Sequence, residues 1–134
     1  EYIVTAAVIA VEGRVLIQQR PQGGLLGGMW EFPGGKLEPS DAGLEDCLQR
    51  EIREELGLAI QVGAGFGVYK HAYTHFRITL HAFCCALLPG ETLDLSAYPQ
   101  ARWVIPPELA AYAMGKVDRQ IANRLLKTPP STPN

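Results

Sequence analysis

Glu51, Glu54 and Glu55 fall within one short stretch, Arg50-Glu51-Ile52-Arg53-Glu54-Glu55-Leu56-Gly57-Leu58, just before a glycine placed to end a helix. At about 100° per residue, Glu51 and Glu55 share nearly one bearing and Glu54 lies about 60° from Glu51. Leu44, Cys47, Leu48 and Ile52 cluster around that same bearing, so the acids interrupt the arc that should bury itself. Such a placement costs the helix twice: like charges at i,i+4 repel, and the negative end of the helix dipole disfavours anions. One bound cation reverses both signs. Hard divalent ions take carboxylate oxygens and tend to bring phosphate substrates with them, so the stretch predicts a Mg²⁺ site that Mn²⁺ can also fill.

The same residues carry a family resemblance. Arg-Glu-Ile-x-Glu-Glu-x-Gly-Leu resembles the second half of the Nudix box, and Gly34-Gly35-Lys36-Leu37-Glu38 resembles its first half. Nudix hydrolases cleave nucleoside diphosphates linked to another moiety, with divalent metal held on that helix. The resemblance implies Glu51, Glu54, Glu55 and the Gly35 carbonyl as metal ligands. It also implies Glu54 or Glu51 as general base, Arg50 as the residue that orients a neighbouring carboxylate, and Lys36 as a phosphate contact. One position departs from the pattern: Ala42 stands where the family carries a glutamate, with Asp41 one place earlier. The expected partner of Arg50 is therefore Asp41, or else it is missing.

Composition sets the outer bounds. A chain of 134 residues, 47% hydrophobic and 19% charged, is a single globular domain with one real core. A net charge of −2 gives no general basic field, which argues against binding duplex DNA by charge alone; a weak local DNA contact stays open. Three cysteines, two of them adjacent, fit neither a disulfide framework nor a zinc site, so a reducing cytoplasmic setting is the default. No run reaches membrane-spanning length and no signal peptide is visible. The chain opens on Glu1, as a segment trimmed from a longer product would. Residues 1–127 are expected to form the domain, with 128–134 as a proline-rich tail. Oligomeric state is not legible.

The elements follow from pattern. Tyr2 to Val11 and Arg14 to Gln19 are β-branched, nearly continuous apolar runs joined by Glu12-Gly13; they read as neighbouring strands in a sheet covered on both faces. Pro21 to Met29 is a glycine-rich loop, and Trp30-Glu31-Phe32 a short strand stopped by Pro33. Ser40 and Asp41 are good N-cap residues for a helix from about Ala42 to Leu56, with Gly57 at its C′ position. Leu58 to Val62, Gly65 to Lys70, Arg77 to Leu87 and Arg102 to Ile105 are further strands, with a helix start at Pro106-Pro107-Glu108. Apolar residues at 117, 121, 125 and 126 predict a final amphipathic helix. The order is that of a mixed α/β (α+β) fold. It matches the α/β/α sandwich around a curved mixed sheet that the Nudix resemblance implies.

Lys70, His71, Tyr73, Thr74, His75 and Arg77 bring donors and aromatic surface together between two strands, a composition suited to phosphate or base contact. Tyr73-Thr74-His75-Phe76, with Trp103 and the Ala113 to Gln120 segment, resembles the C-terminal Nudix-like domain of MutY-type adenine glycosylases. In those enzymes an aromatic-Ser/Thr-His loop helps recognise 8-oxoguanine in DNA. Trp30 and Phe32 either line a base pocket or fill the core. His81, Cys84 and Cys85 read as strand packing. Retained acids favour a Mg²⁺-dependent pyrophosphohydrolase acting on a nucleoside triphosphate or other nucleoside diphosphate derivative, oxidised dGTP included. The Tyr73 loop, together with the lack near Lys116 of the asparagine with which MutT-type hydrolases read a purine, favours a lesion-recognition module without hydrolysis.

Overall fold

The computed structural model describes residues 1–133, so Asn134 of the expected tail lies outside the described residues. In chain order the elements are β1 (Tyr2–Val11), β2 (Arg14–Gln19), β3 (Trp30–Glu31), β4 (Gly34–Lys36) and α1 (Leu44–Leu56). After them come β5 (Ile60–Ala72), β6 (Arg77–Leu87), β7 (Ala101–Val104), a 3₁₀ turn (Pro106–Ala111) and α2 (Lys116–Lys127). The strands form a mixed sheet in the order β3-β2-β1-β6-β5, with β4 also on β1 and β7 also on β2.

Strand β1 is the spine. Its residues Tyr2 to Ile9 run parallel to Ile78–Cys85 of β6. On the other flank its first half pairs antiparallel with β4, and its end pairs with the start of β2. Alternation along β1 explains the two-sided apolar run read from sequence. Ala6 and Val8 face one core with Ile17, Leu80 and, on α2, Val117, Ile121 and Leu125. Ala7 and Ile9 face the other with Leu16, Cys85 and, on α1, Leu48, Ile52 and Leu56. Each large aliphatic side chain so buried contributes roughly 1.5–3 kcal/mol. Cys84 and Cys85 are buried on opposite sides and half-buried His81 lies in the same strand, as expected of packing residues.

Several boundaries differ from the sequence reading: β3 and β7 each end one residue earlier than expected, and Gly34–Lys36 forms an unexpected strand. α1 starts at Leu44, not Ala42, and its N-cap Gly43 makes no side-chain cap. Asp41 accepts the Glu38 N–H and is otherwise engaged by Arg50, so it is not spare to cap a helix. The two strands expected over 58–62 and 65–70 are one strand, β5, kept continuous by register shifts around Gly65. The turn after β7 is 3₁₀, Glu108 taking the Ile105 N–H. Beyond α2, residues 128–133 hold no helix or strand, and Pro133 comes to rest against Gly63 of β5. Among the described residues, no helix is long and apolar enough to cross a membrane.

Candidate active site

Two close approaches build the site. The β1–β4 pairing sets Gly35 opposite Thr5 and Gly34 opposite Ala6. A Cβ on Gly34 would run into the Thr5 carbonyl, and one on Gly35 would run into the Glu51 carboxylate. Only glycines let α1 lie this near β4, and that nearness puts Glu51 beside it. The Gly35 carbonyl accepts hydrogen bonds from the Thr5 hydroxyl (3.1 Å) and the Cys47 thiol (3.8 Å).

Arg50 gathers the acids. Its Nε and Nη2 grip both Asp41 oxygens, at 2.7 and 2.9 Å, in the two-pronged geometry guanidinium favours. Asp41 therefore fills the role left vacant by Ala42. This guanidinium, through its hydrogen bonds first, lowers the Asp41 carboxyl to about 2, and Asp41 in turn raises Arg50 above its ordinary value. Nη1 reaches Glu54 at 2.7 Å, Glu51 at 3.5 Å and Glu38 at 3.7 Å. Nη2 also donates to the Lys36 carbonyl, tying α1 to the end of β4.

The three glutamates meet different surroundings. Glu54 is exposed and paired with Arg50. Glu51 is half-buried; burial raises its pKa, with Glu54 and Glu38 adding to the rise and Arg50 opposing it. Glu55 is the most enclosed. Burial, then the carboxylates of Glu31 and Glu51, push it up to about 7, against hydrogen bonds from the Gln18 amide and the Gly34 N–H. Its Oε2 accepts from Gln18, while Oε1 is buried with no hydrogen-bond partner. An orphaned carboxylate oxygen beside a second half-buried acid is a donor set suited to a hard divalent cation. Among the described residues, no three His, Cys, Asp or Glu side chains converge on one point, since Glu54 is drawn to Arg50 and Glu55 to Gln18.

Beside these acids opens a cavity of about 570 Å³. Phe32, Tyr73 and Phe76 give it aromatic walls, Lys36 and Glu55 stand at its polar side, and Asp118 lines it from α2. The Lys36 ammonium lies 3.9 Å from the Tyr2 ring centroid. Phe32 belongs to core and cavity both. Of the residues singled out from sequence, the structure brings Lys36, Gly35, Phe32, Tyr73 and Glu55 to the cavity wall. Trp30 packs edge-on against Tyr112 instead, 5.0 Å between centroids, and is not part of that wall. Thr74 and His75 are exposed at the tip of the β5–β6 turn, closed by the Tyr73 N–H to Phe76 carbonyl bond, and are outside it too.

Sequence reasoning missed Asp118, Gln18, Glu31 and Arg20. Asp118 is 8% exposed and accepts the Phe32 N–H at 3.0 Å; burial, followed by the Glu31 charge, raises its carboxyl to about 7. It is a first-turn acid of α2, yet it lies on the buried face with Val117, Ile121 and Leu125. That is the signal that exposed Glu51 and Glu55.

A model of the NUDIX domain matches residues 4–124. The CTP pyrophosphohydrolase of Escherichia coli K12 is 36% identical over 115 residues, covering 86% of this chain and 84% of that one. Human adenine DNA glycosylase is 30% identical over 113 residues, which span 84% of this chain but 20% of the glycosylase. The solution structure of the E. coli ORF135 protein superposes with a TM-score of 0.77 at 31% identity, covering 94% of this chain and 89% of that one. With the domain matched over nearly its whole length and the glutamate helix in place, this chain belongs to the Nudix hydrolase family.

Proposed function

We propose that the chain is a Mg²⁺-dependent pyrophosphohydrolase of a nucleoside triphosphate, CTP or an oxidised dGTP among the candidates, working in the cytoplasm. The observation that carries this reading is Glu55, which belongs to the acid stretch, lines the aromatic cavity and keeps a buried, unpartnered Oε1. Glu51, Glu54 and Glu55, with the Gly35 carbonyl, would hold the divalent ion, Mn²⁺ serving as well as Mg²⁺. Engaging all three carboxylates requires Glu54 to give up part of its bond to Arg50. When bound, the metal supplies charge neutralisation on phosphate oxygens and acidifies water.

The protein's own groups do the rest. The general base is Glu51 or Glu54, both within reach of Arg50, and Arg50, itself fixed by Asp41, orients that carboxylate. Phe32, Tyr73 and Phe76 offer apolar faces to the base, and Asp118 offers a carboxyl able to donate while protonated and to accept in either state. Lys36 sits where it can meet a phosphate at the cavity mouth.

A second reading keeps the likeness to adenine DNA glycosylase: a domain that contacts 8-oxoguanine in DNA through exposed Thr74 and His75. The intact arginine–acid set speaks for hydrolysis, since a recognition module has no use for a half-buried, mutually repelling glutamate pair. A panel of canonical and oxidised nucleoside triphosphates, assayed for pyrophosphate release with and without Mg²⁺, tests the proposal. Metal-dependent release from at least one is expected; none from any, with Thr74-dependent binding to lesion duplex, overturns it.

A further inference from the structure

Gln18 is a poor choice for its place by local rules. It sits near the end of β2 at 5% exposure, where a β-branched aliphatic would suit both strand and core. Its amide has two N–H groups, and its Nε2 lies 3.2 Å from Glu31 Oε2 and 3.2 Å from Glu55 Oε2. Glu31 is directly across from Gln18 in the β2–β3 register, and its second oxygen takes Arg20 Nη1 at 2.6 Å. Glu55 arrives from α1 and keeps its second oxygen unpartnered. A chain of contacts thus runs Arg20–Glu31–Gln18–Glu55, ending on the free oxygen. Without the amide, two carboxylates that repel one another would face each other across a shared wall.

We propose that Gln18 is a positioning residue for the acid cluster: its amide pins one oxygen of Glu55 to the anchored Glu31 and leaves the other turned toward the site. The inference rests on the reading of Glu55 as a metal-holding acid and adds the residues that orient it. Glu31 and Arg20 act only as the fixed end of this clamp. Outer partners of this kind change metal affinity by about 10–100-fold when removed. Gln18→Met, close in shape but without donors, should weaken Mn²⁺ binding by that range and lower kcat comparably, with little change in nucleotide KM, which is set at Phe32, Tyr73 and Phe76.

The test is Mn²⁺ titration calorimetry, without nucleotide, on the wild type, Gln18→Met, Glu55→Gln and the double variant Gln18→Met/Glu31→Gln. Gln18→Thr, a strand former too short to span both acids, stands in should Gln18→Met not fold. Weakened binding in both single variants, with partial recovery in the double variant because an amide at position 31 can donate to Glu55, supports the clamp. Wild-type affinity in Gln18→Met with a loss in Glu55→Gln overturns the clamp and leaves the metal reading standing. Wild-type affinity in both overturns the metal reading and the clamp with it. An unrecovered double variant makes Gln18 a packing residue and also overturns the clamp.

Discussion

Asp118→Asn isolates the cost of a buried acid. Asn keeps the shape and an oxygen to accept the Phe32 N–H, but cannot ionise. In the folded chain the carboxyl is raised from 3.8 to about 7, first by burial and then by the Glu31 charge. Between those two values the native state holds a proton that the unfolded chain has released, so wild-type stability falls as pH rises through that window. At 1.36 kcal/mol per pKa unit, the penalty is negligible below pH 3.8, about 2 kcal/mol at pH 5, and about 4 kcal/mol at pH 8, where it has reached its limit. Any difference between a neutral carboxyl and a carboxamide is the same at every pH and cancels. Urea unfolding of both proteins at pH 5 and pH 8 should therefore show the stability difference, variant minus wild type, shifting by about 2–3 kcal/mol in favour of the variant at the higher pH. A pH-independent difference would refute the argument and mean that the Asp118 carboxyl titrates alike in the folded and unfolded chain.

Other expectations follow from single contacts. Gly35→Ala should fold, since its backbone is not left-handed, yet lose most of its turnover because the new methyl displaces the Glu51 carboxylate; circular dichroism and steady-state kinetics separate the two. Asp41→Ala should lower kcat by loosening Arg50 and the glutamates it holds, while nucleotide KM stays near wild type; unchanged kinetics in Asp41→Ala with a collapse in Glu38→Ala would move the pairing to Glu38. Glu55→Gln should weaken Mg²⁺ binding in calorimetry while its apo form melts at or slightly above the wild-type temperature, since a repelling buried charge is removed.

Where sequence and structure agree, the signal is local and periodic. Glu51 and Glu55 on the apolar arc of α1, the left-handed Gly57 that ends the helix (φ 64°) and the alternating, two-faced β1 could all be read from spacing, whereas Glu54 of the same stretch faces solvent. β6 falls on the predicted residues, because its apolar run is bounded by a turn at each end. Where they part, a distant partner decides. Asp41 has the composition of a helix cap, but a bidentate arginine outcompetes one backbone N–H for it. Trp30 is turned into the core by Tyr112, eighty-odd residues on, while Phe32, two places away on the same strand path, reaches the cavity. Thr74 and His75 sit in the turn that their neighbours Tyr73 and Phe76 close, so the ends of that segment face the cavity and its middle faces solvent. The Gln18–Glu31 pair depends on cross-strand register, which no single segment encodes.

In the proposed function the glutamates of α1, with a divalent ion, do chemistry on a nucleotide held in the neighbouring cavity. Mg²⁺-dependent pyrophosphate release from the best nucleoside triphosphate, measured for the wild type, Glu54→Gln and Thr74→Ala side by side, tests this. Loss of a general base or metal acid should slow Glu54→Gln by about 10²–10⁴-fold. Exposed Thr74, outside the cavity wall, should leave Thr74→Ala within a few-fold of wild type, the scale of one neutral hydrogen bond of about 0.5–1.5 kcal/mol at most. Turnover that survives in Glu54→Gln, or that Mg²⁺ removal leaves unchanged, would contradict the account.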